Sequence, residues 1–235
     1  MAVSSTYTAA LTTASLFDEA FERCGIPTDK VEARMYSAAI RSVMMLFSDW
    51  SNDGINLWKV SFTSQTLTAG TASYALPSGC IDVLEMTRRT NAGNVSTQSD
   101  ILMQAASRAE YMSYPNKLQT GAPTIYTVLR TIAPTFVTWP VADSVETYIA
   151  YYSYWQQQAD FGSTATPATE NPDIPFRWAE AISAGLAARI AVKYATDRVQ
   201  LLKGEYAESY MRAKREDRER VPLSILPDMS QWGSL

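Results

Sequence analysis

Apolar residues recur at helical spacing near both ends of this chain and at strand spacing in the middle. Leu16, Phe17, Ala20 and Phe21 make one stripe, which predicts a helix over about residues 13–24, stopped by Gly25 and Pro27. A second helix is expected to start after Thr28 or Asp29, where Asp29-x-x-Glu32 matches a variant of the capping box. Val31, Met35, Ala39, Val43, Leu46, Phe47 and Trp50 form its broad apolar face. Gly54, in "SNDG", is free to take positive φ and end it.

The pattern then changes period. Residues 57–89 are rich in β-branched and aromatic side chains broken by Ala-Gly and Pro-Ser-Gly, predicting strands near 57–67, 72–76 and 80–89. A short helix near 108–113 is headed by a capping box at Ser107. Strands follow near 124–130, 134–139 and 146–155. The stretch "FVTWPVADSVETYIAYYSYW", residues 136–155, reads as a hairpin that closes the β-rich part. Phe136 and Trp139 would pack it, and Pro140 with Asp143 would turn it. Residues 156–171 are polar and aperiodic, a long loop.

Helical spacing returns after Asn171. Pro175 suits a first turn, and Ala181, Ser183, Ala184, Gly185, Ala187 and Ala188 would let another helix approach closely. An Asp197-x-x-Gln200 cap would open the last helix, with Val199, Leu202, Tyr206, Tyr210 and Ala213 on one stripe and a charged end, "KREDRER". Residues 1–12 read as a Ser/Thr/Ala-rich arm, and the tail "VPLSILPDMSQWGSL" is apolar but broken by two prolines. The chain is therefore expected to be α+β. Residues 1–55 and 172–220 would make a helical bundle, 56–171 an inserted antiparallel β domain, and 221–235 an extended C-terminal tail.

Composition supports a globular chain: 46% hydrophobic and 19% charged residues in 235 leave ample core. A net charge of −4 gives no overall attraction to nucleic acid or to an anionic membrane. Only the C-terminal part, from residue 173 on, escapes the acidic excess. The start lacks a basic segment followed by a long apolar run, so no signal peptide is read, and no apolar run is long enough to span a bilayer. Cys24 and Cys80 are too few and too far apart for a disulfide framework or a CxxC site, and read as buried thiols in a reducing cytoplasm.

Candidate chemistry is thin. The chain has no histidine, which removes the usual general base, the Ser-His and Cys-His pairs and the commonest metal ligand. P-loop, GxSxG, GxGxxG and EF-hand patterns do not occur. Two carboxylate pairs remain, Asp82 with Glu85 and Glu205 with Glu208. The first would point to opposite faces of a regular strand, and the second lies on the flank of a helical stripe. No catalytic, cofactor-binding or metal-binding residue is assigned.

The basic run Arg212, Lys214, Arg215, Arg218 and Arg220 has three readings: phosphate contact with DNA, an ion network at a subunit interface, or a solvated helix end laced by Arg212–Glu216 and Arg215–Glu219. Tyr148, Tyr151, Tyr152, Tyr154 and Trp155 suit a stacking platform for single strands, but a packed strand with one face in a core accounts for them more simply.

Several motifs in consistent order carry a resemblance. They are a helix ending in "CGIP", a helix ending in "FSDWSNDGINLW", then "SFTSQTLTAGTASYALPSG", "SRAEYMSYPNKLQTGAPTIYTV", "FVTWPVADSVETYIAYYSY" and "NPDIPFRWAEAISAGLAARIAVKYA". Over about residues 12–210 the chain resembles the head-to-tail adaptor family of short-tailed bacteriophages, the tail tubular protein A-like or head-completion proteins. The resemblance implies a structural virion protein without enzymatic activity or cofactor, made in the host cytoplasm and placed at the head–tail junction. It implies a dodecameric ring docked under the portal protein after DNA packaging, retaining the genome, passing double-stranded DNA at ejection and bearing the tail nozzle or fibres. The helices would form the ring wall, with the β domain toward the tail. A C-terminal extension would reach along the portal, with Pro222, Leu223, Ile225, Leu226 and Trp232 in contact; folding of the tail onto its own subunit is the alternative. A nucleic-acid-binding protein using the Arg-rich helix end, and a carboxylate-dependent hydrolase, are the competing functions.

Overall fold

A computed structural model describes residues 12–54, 57–157 and 173–218. Five helices are α1 (Thr13–Arg23), α2 (Ala33–Asp53), α3 (Arg108–Ser113), α4 (Ala179–Tyr194) and α5 (Val199–Glu216). All but α3 build one helical core. Its centre is the middle of α4, which is buried on every side: Ala181 to Ala188 are all buried, as are Ile190 and Ala191. A helix apolar all round belongs in the middle, and α1, α2 and α5 pack against this one. The expected close approach occurs at Gly185. A Cβ there would lie 2.8 Å from Tyr206 Cε2 and 2.9 Å from Leu46 Cδ2.

Two expected caps do not form. Thr28–Lys30 is a short 3-10 turn, and α2 starts only at Ala33, where Glu32 takes the N-cap position without a side-chain bond. Likewise Thr196–Arg198 is a 3-10 turn, and α5 is entered from Arg198 without side-chain capping. In both places the turn itself satisfies backbone groups, through Val31 N–H to Thr28 O and Arg198 N–H to Ala195 O. At Ser107 the cap is as expected: its Oγ accepts the Glu110 N–H at 3.1 Å.

The middle of the chain is a sandwich. Its strands are β1 (Val60–Leu67), β2 (Ser73–Ala75), β3 (Cys80–Thr90), β4 (Ser99–Leu102), β5 (Gln104–Ala105), β6 (Thr120–Gly121), β7 (Ile125–Leu129), β8 (Thr135–Trp139), β9 (Val141–Ala142) and β10 (Tyr148–Gln156). One sheet has the order β1-β10-β3-β4, a second β2-β8-β7-β5, and β6 pairs with β9. Long pairings are antiparallel; the two-residue pairs β5–β7 and β6–β9 are parallel. A core of Leu67, Tyr74, Val83, Met86, Tyr126, Phe136, Tyr148, Ala150, Tyr152 and Tyr154 lies between the large sheets.

The expected hairpin over 136–155 is not present. β8 pairs with β2 and β7 in one sheet, while β10 pairs with β1 and β3 in the other. Pro140 has no N–H to continue the β8 ladder. Val141 instead donates to Gln119 O at 2.8 Å and starts β9, from which the chain crosses to β10 in the first sheet. Splitting the strands lets Phe136 and Tyr152 face each other across the core, with ring centroids 5.6 Å apart. A two-stranded ribbon alone would bury only one face of each strand.

Candidate interaction surfaces

Helices and sandwich meet where α2 ends, β1 begins, the chain returns before α4, and α5 stops. Trp50, Trp58, Trp178 and Tyr210 cluster there, with Trp178 4.9 Å from Trp50 and 4.7 Å from Trp58 between ring centroids. Charges surround the aromatics. Buried Lys59 pairs with Asp173. Asp53 accepts from Lys214 Nζ at 2.6 Å and from the Tyr210 hydroxyl, and these bonds hold its carboxyl below the usual range. Asp217 pairs with Arg177 and accepts the Leu57 N–H at 3.1 Å, with a side chain only 3% exposed.

The same contacts place one member of the basic run. Lys214 pairs with Asp53 of its own subunit and lies over the Tyr210 ring at 5.8 Å. Arg212, Arg215 and Arg218 are exposed. Arg212 stands close enough to Glu180 that its charge adds to the hydrogen bond from Arg23 in lowering the Glu180 pKa. Ala207, Glu208, Met211, Arg212 and Arg215 line a shallow open groove of about 420 Å³ on the outward side of α5. Arg220 and the tail residues Pro222, Leu223, Ile225, Leu226 and Trp232 lie outside the described residues.

A larger open groove, about 460 Å³, lies on the outer face of the sheet containing β1 and β10. Phe62, 82% exposed, borders it together with Ser64, Thr87, Tyr151 and Ser153. Arg89 stacks over Tyr151, 4.1 Å from the ring centroid, and is fixed there by two bonds of 2.7 Å to Asp100. Of the aromatic run, Tyr148, Tyr152 and Tyr154 are core residues, while Tyr151 and Trp155 are half-buried.

The carboxylate pairs fare differently from expectation. A β-bulge sets Ser153 opposite Glu85 and Tyr154 opposite Val83, leaving Leu84 as the extra residue. Val83 and Met86 then share the buried face, so alternation no longer separates Asp82 from Glu85. Asp82 is engaged by Arg130, and Glu85 is exposed. Glu205 and Glu208 are exposed on α5. Among the described residues no cluster of three or more His, Cys, Asp or Glu could hold a metal ion. Both thiols are buried, which pushes the pKa of Cys24 and of Cys80 up to about 11, far from a reactive nucleophile. Among the described residues no helix is long and apolar enough to cross a membrane.

Sequence reasoning missed the outward stripe of α2, where Arg34, Arg41, Met44, Met45 and Ser48 are exposed. Its signal was available: the positions recur at three- and four-residue steps opposite the apolar face.

The sequence model of a family described as SU10 adaptor protein matches residues 12–226. No curated protein matches the chain.

Proposed function

The chain belongs to the SU10 adaptor protein family, phage head-to-tail adaptors, and on that premise we propose that it assembles into a ring beneath the portal protein and joins it to the tail. As a phage adaptor it is a virion component with a structural role. The ring, dodecameric in this reading, docks under the portal after packaging, retains the genome, passes double-stranded DNA at ejection and presents a platform to nozzle or fibre proteins. The helices of 1–55 and 172–220 form its wall, the β domain of 56–171 faces the tail, and the tail of 221–235 reaches the portal through Pro222, Leu223, Ile225, Leu226 and Trp232.

The observation that carries this reading is the length of the family match, which takes in both helical ends and the whole sandwich. Light scattering on the protein alone and mixed with its portal protein tests it. A monomer under both conditions refutes the ring.

A second reading rests on exposed Arg212, Arg215 and Arg218, which suit phosphate contact. Specific DNA binding by a monomer that ignores the portal, lost steeply with added salt, would replace the first reading with this one.

A further inference from the structure

We propose that the outward face of α2 docks on the outward face of α5 of a second copy of this chain, head to tail around the ring. The inference rests on the ring reading and adds which surfaces join and in what register.

Three observations carry it. The first is direction. Leu46 and Tyr206 both close on Gly185, Trp50 Nε1 donates to Tyr206 at 2.9 Å, and Asp53 bonds Tyr210 and Lys214. Along both helices residue numbers rise together, so α2 and α5 run parallel, with Leu46 level with Tyr206. In this proposal the cyclic axis lies along these helices, and rotation about such an axis changes neither direction nor height. An α2 brought beside the next copy's α5 therefore meets it in parallel, with Arg41 near the level of Leu201 and Met44 and Met45 near that of Gly204 and Glu205.

The second observation is shape. Met45 is 60% exposed and Leu201 64%, and Met44 and Met211 are also open to solvent. Between Leu201 and Met211, α5 carries Gly204 and exposed Ala207. A Cβ on Gly204 would meet nothing within 4 Å, so no contact inside the subunit requires a glycine there. A mid-helix glycine destabilises a helix, and a close approach from outside accounts for it. The flexible, polarisable Met44 and Met45 suit such a notch.

The third is charge. The side chains of Arg41, Glu205 and Glu208 make no ion pair or hydrogen bond among the described residues. Arg41 stands beside Lys193, whose pKa is lowered by burial first and then by the charges of Arg41 and Arg189. The α2 side is thus basic and the α5 side acidic at the same height. An Arg41 side chain extending one helical turn reaches Glu205.

Cross-linking tests the register. In the full chain carrying Met45→Cys and Ala207→Cys together, a short bismaleimide is expected to give covalent dimers, trimers and a longer ladder whenever the wild type assembles. Either single variant should give none, since Cys24 and Cys80 are buried. Dimers from Met45→Cys alone would mean a two-fold contact and overturn the proposal; so would a missing ladder while wild-type rings form. Light scattering on the wild type, alone and with portal, separates this from failure of the ring itself, in which case both ideas fall.

A charge swap supplies an independent check. Arg41→Glu should lower the assembled fraction about tenfold or more, and adding Glu205→Arg should restore it. Gly204→Leu should leave the circular dichroism of the monomer unchanged and abolish assembly. Unaltered assembly in Arg41→Glu and Gly204→Leu would overturn the interface.

Discussion

The carboxylate of Asp217 accepts the backbone N–H of Leu57 at 3.1 Å, joining the last turn of α5 to the residue from which the chain enters β1. Through Arg177 the same carboxylate reaches the 3-10 turn Phe176–Trp178 that leads into α4. One side chain, 3% exposed, ties together three of the four places where the helical core meets the sandwich.

Replacing Asp217 by Ala should therefore cost more than an ordinary surface change. It leaves the Leu57 N–H and the Arg177 guanidinium without their acceptor, a loss of about 1–3 kcal/mol. Urea unfolding monitored by tryptophan fluorescence measures it. A midpoint equal to wild type would show that Asp217 does not hold the junction.

Gly185→Val should destabilise by overpacking. A Cβ at this position already lies inside the contact distance of Tyr206 and Leu46, and two further methyls would force the three-helix contact apart. The expected loss is about 1–3 kcal/mol. Gly204→Ala, on the open side of α5, should instead stabilise the monomer by up to about 1 kcal/mol. Opposite signs at two glycines in the same bundle, read as shifts in thermal midpoint, check the packing directly.

Alkaline pH should weaken the fold. Burial pushes the thiols of Cys24 and Cys80 up to about 11, and pushes the phenols of Tyr36 and Tyr152 up to about 12. These folded values exceed those of the unfolded chain, so the folded state keeps protons that the unfolded state releases. Stability is then full below about pH 9 and falls as pH rises through 9–12. Urea midpoints should match at pH 7 and 8.5 and drop by pH 10; a midpoint that rises at pH 10 would contradict this.

Deleting residues 221–235 should weaken docking to the portal while circular dichroism and the thermal midpoint stay as in wild type. Undiminished docking would remove Pro222, Leu223, Ile225, Leu226 and Trp232 from the proposed contact.

Much of this architecture was legible along the chain. The apolar stripes of α1, α2 and α5 are the faces that pack, and the Ala- and Gly-rich run of α4 marks the helix that others approach. Ser107 caps α3 as its spacing predicts. The caps read at Asp29 and Asp197 failed because a 3-10 turn competes for the same backbone groups, and sequence spacing does not distinguish the two. For the candidate surfaces, the exposed α5 charges were visible in sequence, but the capture of Lys214 by Asp53 was not. That pair lies 161 positions apart.

By itself the sequence determined which side of each helix and strand is apolar, because side-chain period is a property of local backbone geometry. It also determined what chemistry is out of reach, since a chain without histidine cannot supply one. Only the tertiary structure decided partners. It sent β8 and β10 to different sheets, placed a bulge at Leu84, and set α2 and α5 side by side in the same direction. Those choices depend on burying two aromatic strand faces and one helix that is enclosed on every side over Ala181–Ala188, a condition met between distant segments and written in no single stretch of residues.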